Sequence, residues 1–523
     1  MSALSFDRQL AGLVNSGERG VLVGGLKGVE KESLRVTPDG HVAQTPHPRA
    51  LGSPLTHPEI TTDYSEALLE LVTPAYPDSA RLLERLTQLH QYTYRAIGEE
   101  RLWATSMPCV VNGDADIPIA RYGRSHSAHM KEVYREGLGL RYGRLMQAIS
   151  GVHFNYSFPA QFWPVLAEVR QSRESGQDFV SARYFELLRN YRRHGWIVLY
   201  LFGVSPALCA SFLRGQHDHG LQTLVPGTLY APHATSLRMS DVGYRNSAQS
   251  ELRVSVNSLQ EYVRDLAAAI ATPHPDYAAR GVKVDGQWRQ LNANVLQIEN
   301  EYYSFIRPKR VAAPGERPTK ALARAGVQYV EVRSLDVSAF DPVGVNMNKL
   351  RFLEAFLAWC VLSPGAPIGA DEQAALDANH VTVARRGREP GLLLRRDGRS
   401  VPLAHWAAEI VDGVRGTAEM LDTGDPARPY TSAVEVQVAK VADVGLTPSA
   451  RLLAELKKSG EGFSTWARQM SSAHRRHFLE VAPVDAPVLS QLAQAAEDSL
   501  DEQAIIERSD KGSFEEYLAR WFA

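Results

Sequence analysis

The sequence predicts an α+β fold in which helices cover a largely antiparallel sheet. Four segments alternate between apolar and polar residues, which is typical of half-buried strands. Three longer segments have the apolar periodicity of helices. The two kinds of segment do not alternate regularly along the chain, as they would in a parallel βαβ fold.

The predicted strands are 28–36 (GVEKESLRV), 151–158 (GVHFNYSF), 296–303 (LQIENEYY) and 327–333 (VQYVEVR). A half-solvated sheet alternates whatever its function, so one such strand carries no functional information. These four are unusual in how many carboxylates their polar faces carry. The side chains predicted on those faces are Glu30, Glu32, His153, Asn155, Ser157, Gln297, Glu299, Glu301, Tyr303, Tyr329, Glu331 and Arg333.

Helices are predicted at 80–101, 182–203 and 347–362, and the last is apolar almost all round, which indicates a buried helix. Residues 60–73 fit either a strand or a helix, because Glu66 and Glu70 share a face in both. Residues 309–325 contain two prolines and a glycine and are predicted to form an exposed loop. We expect a catalytic region at 1–385 and a mainly helical C-terminal region at 386–523, packed on the same domain.

Composition excludes several classes of protein. The 523 residues carry 57 basic and 59 acidic side chains, so no single-sign field favours nucleic acid or membrane as a partner. The longest apolar run, 196–204, is about half the ~20 residues that span a bilayer. The N-terminus lacks the apolar core of a secretory signal, and the three cysteines have no CxxC spacing. We therefore expect a cytoplasmic protein with neither disulfides nor zinc.

Carboxylates gathered on one face of a sheet repel one another unless cations neutralise them. Sites rich in oxygen ligands suit Mg²⁺ or Mn²⁺ better than zinc or copper. His153 fits such a site, although it could equally be a hydrogen-bonded residue on a polar face. The candidate metal ligands are Glu30, Glu32, Asp63, Glu70, His153 and Glu331.

This arrangement suits phosphoryl chemistry, in which divalent cations and basic side chains offset the charge of transferring phosphate. Arg238, Arg333, Arg307, Lys309 and Arg310 are the basic candidates, and Arg333 stands two residues from Glu331 on one strand. The chain has no GxxxxGK[ST], GxGxxG, GxSxG or HExxH motif. A P-loop or Rossmann nucleotide site is therefore not expected.

Six segments carry a resemblance to a known family. They are GVEKESLRV, ALGSPLTHPEITTDYSEALLELVTP, YREGLGLRYGRLMQAISGVHFNYSF, ATSLRMSDVGY, NVLQIENEYYSFIRPKR and QYVEVRSLD, with RRGREPGL and LTPSARLL further on. In this order they resemble the proteobacterial type 1 glutamate–cysteine ligases, from about residue 15 to about residue 455. The last ~70 residues carry only helical character.

The resemblance implies a curved, mainly antiparallel sheet that forms a funnel, as in glutamine synthetase, and it favours strands in 60–73. It implies that Mg²⁺-ATP phosphorylates the γ-carboxylate of glutamate and that the cysteine amine then attacks the acyl phosphate. The product would be γ-glutamylcysteine, the precursor of glutathione. A monomer acting on small molecules is also implied.

The resemblance also assigns roles residue by residue. The six candidate ligands match the family's metal positions. Arg333, beside Glu331, matches an arginine that contacts the transferring phosphate or a substrate carboxylate. The positions of the cysteine pocket are Tyr134, Gln147, Arg238, Tyr244 and Tyr303. Arg238 would bind the cysteine carboxylate through two hydrogen bonds.

Two other activities fit the same residues. A ligase of this fold with a different amine acceptor is one, because a tyrosine-lined pocket discriminates weakly between small side chains. A non-catalytic nucleotide-binding or regulatory protein is the other, although such a protein would be expected to have lost some of the metal carboxylates.

Overall fold

The structure is a computed structural model that describes residues 4–18, 20–108, 110–216, 218–243, 252–313 and 315–523. It confirms the predicted α+β class. The strands are β1 (Leu26–Val36), β2 (Ile60–Thr62), β3 (Leu68–Val72), β4 (Arg101–Leu102), β5 (Gly151–Ser157), β6 (Ala207–Cys209), β7 (Gln222–Val225), β8 (Thr228–Tyr230), β9 (Lys283–Val284), β10 (Gln287–Trp288), β11 (Ile306–Lys309), β12 (Tyr329–Asp336), β13 (Leu393–Arg396) and β14 (Arg399–Pro402).

The helices are α1 (Phe6–Asn15), α2 (Ser79–Ala96), α3 (His126–Tyr142), α4 (Phe162–Val169), α5 (Gly176–His194), α6 (Trp196–Phe202), α7 (Leu259–Ala271), α8 (Pro275–Ala279), α9 (Pro318–Ala325), α10 (Met347–Leu362), α11 (Ala370–Arg386), α12 (Leu403–Leu421), α13 (Pro429–Ala442), α14 (Pro448–Ser459), α15 (Phe463–Arg476), α16 (Ala486–Ser509) and α17 (Phe514–Phe522). A π-helical turn, His477–Val481, follows α15.

The main sheet has the predicted antiparallel pairing. Within the described ranges its seven strands run in the order β11–β12–β5–β1–β3–β2, with β4 paired to one end of β1. Val29, Phe154 and Val332 project from one face and are fully buried, together with residues of α2, α5 and α10. The largest core cluster therefore lies on this face, and the polar side chains of the same strands project from the other, where a second cluster includes Leu34 and Leu68.

Residues 60–73, which were ambiguous in sequence, form the two strands β2 and β3. A tight turn joins them, in which the Leu68 amide donates to the carbonyl of Ser65. The strand alternative, favoured by the resemblance, is confirmed.

The prediction of a strand over 296–303 is wrong. This segment is a loop with one 3₁₀ turn, Glu299–Glu301, and β11 begins only at Ile306. The Glu301 carboxylate accepts the Gln297 amide at 2.6 Å and Arg141 Nη1 at 2.9 Å. The side chain thus satisfies a backbone group that a sheet would otherwise pair, and it closes the segment into a turn.

The helices differ from the predictions at three places. The helix predicted at 80–101 ends at Ala96, because Arg101 and Leu102 pair with β1. The helix predicted at 182–203 is the pair α5 and α6, divided at Gly195. The loop predicted over 309–325 gives way to helix α9 at Pro318, where the missing proline N–H costs no hydrogen bond. Helix α10 matches its prediction.

The C-terminal part of the chain is mainly helical and packs on the sheet region. Trp406 of α12 lies edge-on to Trp196 at 5.1 Å, and Ser499 of α16 accepts a hydrogen bond from the Ser53 amide. Phe514 of α17 meets Trp288 at 5.3 Å. The division at residue 385 stays a prediction. None of the helices that the structure describes is long and apolar enough to cross a membrane.

Buried and half-buried histidines make stability sensitive to acid. Burial lowers the pKa of His194 to about 3, and its Nδ1 has no hydrogen-bond partner among the described residues. In the unfolded chain His194 would take up a proton near pH 6.5, so the unfolded state binds more protons and stability falls as pH falls below that value.

Between pH 7 and pH 5, the free energy of unfolding should fall by about 2 kcal/mol less in His194→Phe than in wild type. Urea unfolding at the two pH values measures it. An unchanged difference between the two pH values would show that His194 does not contribute. His47 and His474, whose pKa values burial lowers to about 3 and about 4, act in the same direction.

Candidate active site

A cavity of about 1290 Å³ opens on the polar face of the main sheet. Its floor consists of side chains from β1, β3, β5, β11 and β12. Helix α3, the first residues of α11 and the segments 238–243, 252–257 and 300–303 form its walls. The carboxylates predicted from strand alternation therefore face a common space.

His153 of β5 lies at the centre of the carboxylates. Its Nδ1 is 3.1 Å from Glu30 Oε2 and 3.6 Å from Glu331 Oε1, and its Nε2 is 3.4 Å from Glu32 Oε1. Antiparallel pairing explains this, since Glu30 stands opposite His153 in the register of β1 and β5. Asn155, two residues further along β5, donates to Glu30 Oε1 at 2.8 Å. His153 thus contacts carboxylates through both ring nitrogens.

Among the described residues, two groups of side chains in this cavity are close enough to hold a metal ion. In each group the possible ligand atoms lie within 4.8 Å of one another. The groups are Glu30, His153 and Glu331, and Glu32, Glu70 and His153. Asp63, at the end of β2, also lines the cavity. The structure therefore brings all six predicted ligands to one cavity.

The electrostatics of the second group favour a bound cation. Burial and the neighbouring carboxylates of Glu30 and Asp63 raise the pKa of Glu70 well above its ordinary value. Burial also raises the pKa of Glu32, although His153 opposes the rise. Burial and mutual repulsion therefore oppose the ionisation of these carboxyls. A hard divalent cation among their oxygens would favour the ionised form.

Glu331 has the opposite environment. Burial would raise the pKa of its carboxyl, but Lys309 and Arg333 lower it well below the ordinary value. Lys309 Nζ lies 3.3 Å from Glu331 Oε2 and Arg333 Nη1 lies 2.9 Å from Oε1. Glu331 therefore favours its ionised form and stands between the candidate metal site and two cations. A phosphate group at this position would be within reach of both the metal ion and the two basic side chains.

The predicted acceptor pocket lies in the same cavity, which Tyr134, Gln147, Arg238 and Tyr303 all line. Arg238 is 2% exposed. Tyr303 donates to the sulfur of Met239 at 3.3 Å. Tyr244, the fifth predicted pocket residue, lies outside the described residues.

The three basic residues predicted near the phosphates separate into two sets. Arg307 and Lys309 of β11 line the cavity, on the same face of the sheet as Glu331 of β12. Arg310 follows the end of β11 and does not reach the cavity. Its guanidinium donates to the carbonyls of Ala325 and Gly326 at the end of α9. Strand alternation explains the difference, because successive side chains point to opposite faces.

Comparison with known proteins places the chain in a family. A sequence model of the family described as glutamate–cysteine ligase matches residues 10–383. The chain belongs to the glutamate–cysteine ligase family. The enzyme named glutamate–cysteine ligase in Alcanivorax borkumensis is 49% identical over 521 residues, 99% of each chain. The enzyme of that name in Azotobacter vinelandii is 49% identical over 522 residues, 99% of this chain and 98% of its own.

A solved structure agrees. The glutamate–cysteine ligase of Francisella tularensis in complex with AMP superimposes with a TM-score of 0.90 at 36% identity, covering 96% of this chain and 98% of its own. These findings confirm the resemblance, the enzyme class and the predicted reaction, ATP-dependent joining of glutamate to cysteine at the start of glutathione synthesis. The relatives also extend over the last ~70 residues, where the motifs gave nothing.

Apart from Tyr134, which the resemblance named, sequence reasoning missed the contribution of α3 to this cavity. Six side chains of α3 line it: Lys131, Tyr134, Arg135, Leu138, Arg141 and Tyr142. Their spacing of three or four residues is a helical stripe. A search for polar and aromatic residues at helical spacing, in addition to strand alternation, would have found it. Asn155, which holds Glu30, was predicted on the polar face but was not singled out.

Proposed function

We propose that the cavity on the polar face of the sheet is where glutamate is activated by ATP and then joined to cysteine. The observation that carries this proposal is the pair of oxygen-rich ligand groups that share His153. Lys309 and Arg333 border one of them. Acyl transfer through a γ-glutamyl phosphate needs no protein nucleophile. It needs charge neutralisation at the phosphate, which is what this face offers.

The metal sites are assigned to Mg²⁺, with Mn²⁺ as a substitute, because their donors are carboxylates with a single imidazole. Glu30 and Glu331 would hold one ion, Glu32 and Glu70, with Asp63 nearby, would hold the other, and the neutral imidazole of His153 would be a ligand of one of the two. When bound, these ions would neutralise the phosphates of ATP and the charge that develops during transfer. The AMP complex of the Francisella tularensis relative supports a nucleotide site in this fold.

Arg333 and Lys309 are the protein's own cations at the phosphate. Arg333 is held by Glu331, so its guanidinium is oriented before any substrate binds. Burial alone would lower the pKa of Arg333, but Glu331 and Glu32 raise it above its ordinary value, and the group stays charged. A charge fixed in advance stabilises the transferring phosphoryl group without the cost of reorganisation. Arg307, whose guanidinium donates to the Asn300 carbonyl at 3.1 Å, would instead fix the 300–303 wall.

The acceptor amino acid would bind between α3 and the 238–243 segment. Arg238 would bind its carboxylate, and Tyr134, Gln147 and Tyr303 would surround its side chain. Attack by the amine nitrogen forms the C–N bond at the γ-carbonyl carbon, breaks the C–O bond to phosphate and releases inorganic phosphate. The ammonium that results then loses one proton.

We propose further that the enzyme acts as a monomer in the cytoplasm. Cys209 and Cys360 are buried free thiols, which suits a reducing compartment. Size-exclusion chromatography with light scattering tests the monomer, and a mass of twice 57.8 kDa would contradict it.

The test of the reaction is mass spectrometry of the products formed from glutamate, cysteine and ATP, with and without EDTA. We expect γ-glutamylcysteine and ADP in Mg²⁺, at least about 100-fold less with EDTA, and recovery on adding Mg²⁺ or Mn²⁺. Replacing cysteine by a panel of small amines tests the acceptor. A better rate with another amine would overturn the choice of cysteine, and undiminished turnover in EDTA would overturn the metal assignment.

A further inference from the structure

The guanidinium of Arg238 approaches the backbone of Gly151, the first residue of β5. A Cβ atom at position 151 would lie 2.8 Å from Arg238 Cζ and would overlap Nη2. Only glycine leaves room for this approach. The Gly151 amide in turn donates to Glu32 Oε2 at 2.6 Å. One backbone residue therefore contacts both a candidate metal ligand and the arginine of the acceptor pocket.

Asp336, the last residue of β12, holds the other side of the same guanidinium. Its carboxylate is 1% exposed and accepts the Ser236 hydroxyl and the Val204 amide, each at 2.8 Å. These bonds fix the carboxylate, and Oδ1 lies 3.8 Å from Arg238 Nη1. The buried charge of Asp336 thus attracts one edge of the guanidinium from a fixed position.

Arg238 makes two further contacts. Nη1 donates to the sulfur of Met239 at 3.1 Å, and Nη2 donates to the carbonyl of Arg333 at 3.1 Å. Arg333 belongs to the phosphate side of the cavity. The backbone that carries it therefore also holds Arg238.

We propose that Gly151 and Asp336 are positioning residues that set the carboxylate-binding arginine, Arg238, relative to the face where glutamate is activated. They would determine the selectivity for an acceptor that carries a carboxylate beside its amine. The inference rests on the proposed function, because it takes Arg238 as the group that binds the acceptor carboxylate. A displacement of about 1 Å at such a group costs about 100-fold in rate.

The test uses Gly151→Ala and Asp336→Asn with two acceptors. Cysteine carries the carboxylate that Arg238 would bind. Hydroxylamine lacks a carboxylate, yet its nitrogen attacks the same acyl phosphate, and it gives a γ-glutamyl hydroxamate that can be measured by colour. We expect kcat/KM for cysteine to fall about 100-fold in Gly151→Ala, mainly through KM. The rate of hydroxamate formation should stay within about twofold of wild type.

Gly28→Ala is the matched control. Gly28 lies on β1 in the same sheet, and a Cβ there meets nothing closer than the Thr73 carbonyl at 3.5 Å. We expect it to keep both activities. Asp336→Asn keeps the shape but removes the charge and one acceptor, so its thermal unfolding midpoint is measured alongside. If Asp336→Asn is unfolded at the assay temperature, Gly151→Ala alone tests the inference.

The outcomes separate this inference from the function on which it rests. Wild-type enzyme that makes neither γ-glutamylcysteine nor hydroxamate would overturn the proposed function itself. If wild type makes both and Gly151→Ala loses both equally, the glycine is structural and the inference is wrong. An unchanged KM for cysteine in Gly151→Ala would also overturn it. A selective loss of the cysteine reaction supports it.

Discussion

Replacing Glu331 by glutamine is expected to lower kcat for γ-glutamylcysteine formation by about 1000-fold, the scale of losing a group that stabilises transition-state charge. Glu331 is 1% exposed and is the candidate metal ligand that two cations keep ionised. Glutamine keeps the shape and one acceptor oxygen but removes the charge that a divalent cation needs. Steady-state rates at saturating ATP, glutamate and Mg²⁺ measure the effect.

Glu59→Gln is the matched control for this variant. Glu59 is also buried and also paired with an arginine, Arg85, whose Nε donates to it at 2.7 Å, but it does not line the cavity. We expect its kcat to stay within about threefold of wild type, since a residue that does not touch the reacting groups affects activity only through the stability of the fold. If Glu331→Gln turned over ATP as fast as wild type, the metal assignment would be wrong. A raised Mg²⁺ requirement would support it.

Replacing Lys27 by methionine is expected to lower the free energy of unfolding by about 3–5 kcal/mol. Lys27 of β1 pairs with Glu354 of α10 at 2.7 Å, and their side chains are 1% and 0% exposed. Tyr430 of α13 donates to the same carboxylate at 2.7 Å. Removing the lysine leaves a carboxylate buried between the sheet and two helices without its cation. Urea-induced unfolding followed by circular dichroism measures the loss.

Two comparisons show whether burial is the cause. The double variant Lys27→Met with Glu354→Leu removes both charges, and we expect it to be more stable than Lys27→Met alone. Lys283→Met removes an exposed lysine from its 2.8 Å pair with Glu515, and we expect a change of about 1 kcal/mol or less. Equal losses in the buried and exposed variants would contradict this explanation.

Strand alternation alone predicted much of the candidate site. The faces of 28–36, 151–158 and 327–333 have a period of two, so the sequence determines which side chains share a side once these segments are strands. Glu30, Glu32, His153 and Glu331 accordingly face one cavity. The same rule separates Arg310 from Lys309, because neighbouring residues of a strand point to opposite faces and only Lys309 lines the cavity.

The segment 296–303 marks the limit of pattern reasoning. Its alternation is as regular as that of the true strands, yet Glu301 binds Arg141 from α3 and the backbone of Gln297. The partner on α3 lies 160 residues away in sequence. A periodicity describes one segment, and it cannot report a long-range bond that makes a turn more stable than a sheet pairing.

The sequence by itself determined the antiparallel α+β class, the polar strand faces and the family. These depend on periodicities and motifs, which can be recognised within short continuous segments of the chain. Only the tertiary structure decided that His153 joins two ligand groups and that Gly151 and Asp336 hold Arg238. Those arrangements depend on strand order, register and the approach of distant backbone. They follow from packing of the whole chain, because burial of the apolar faces selects one strand order and register.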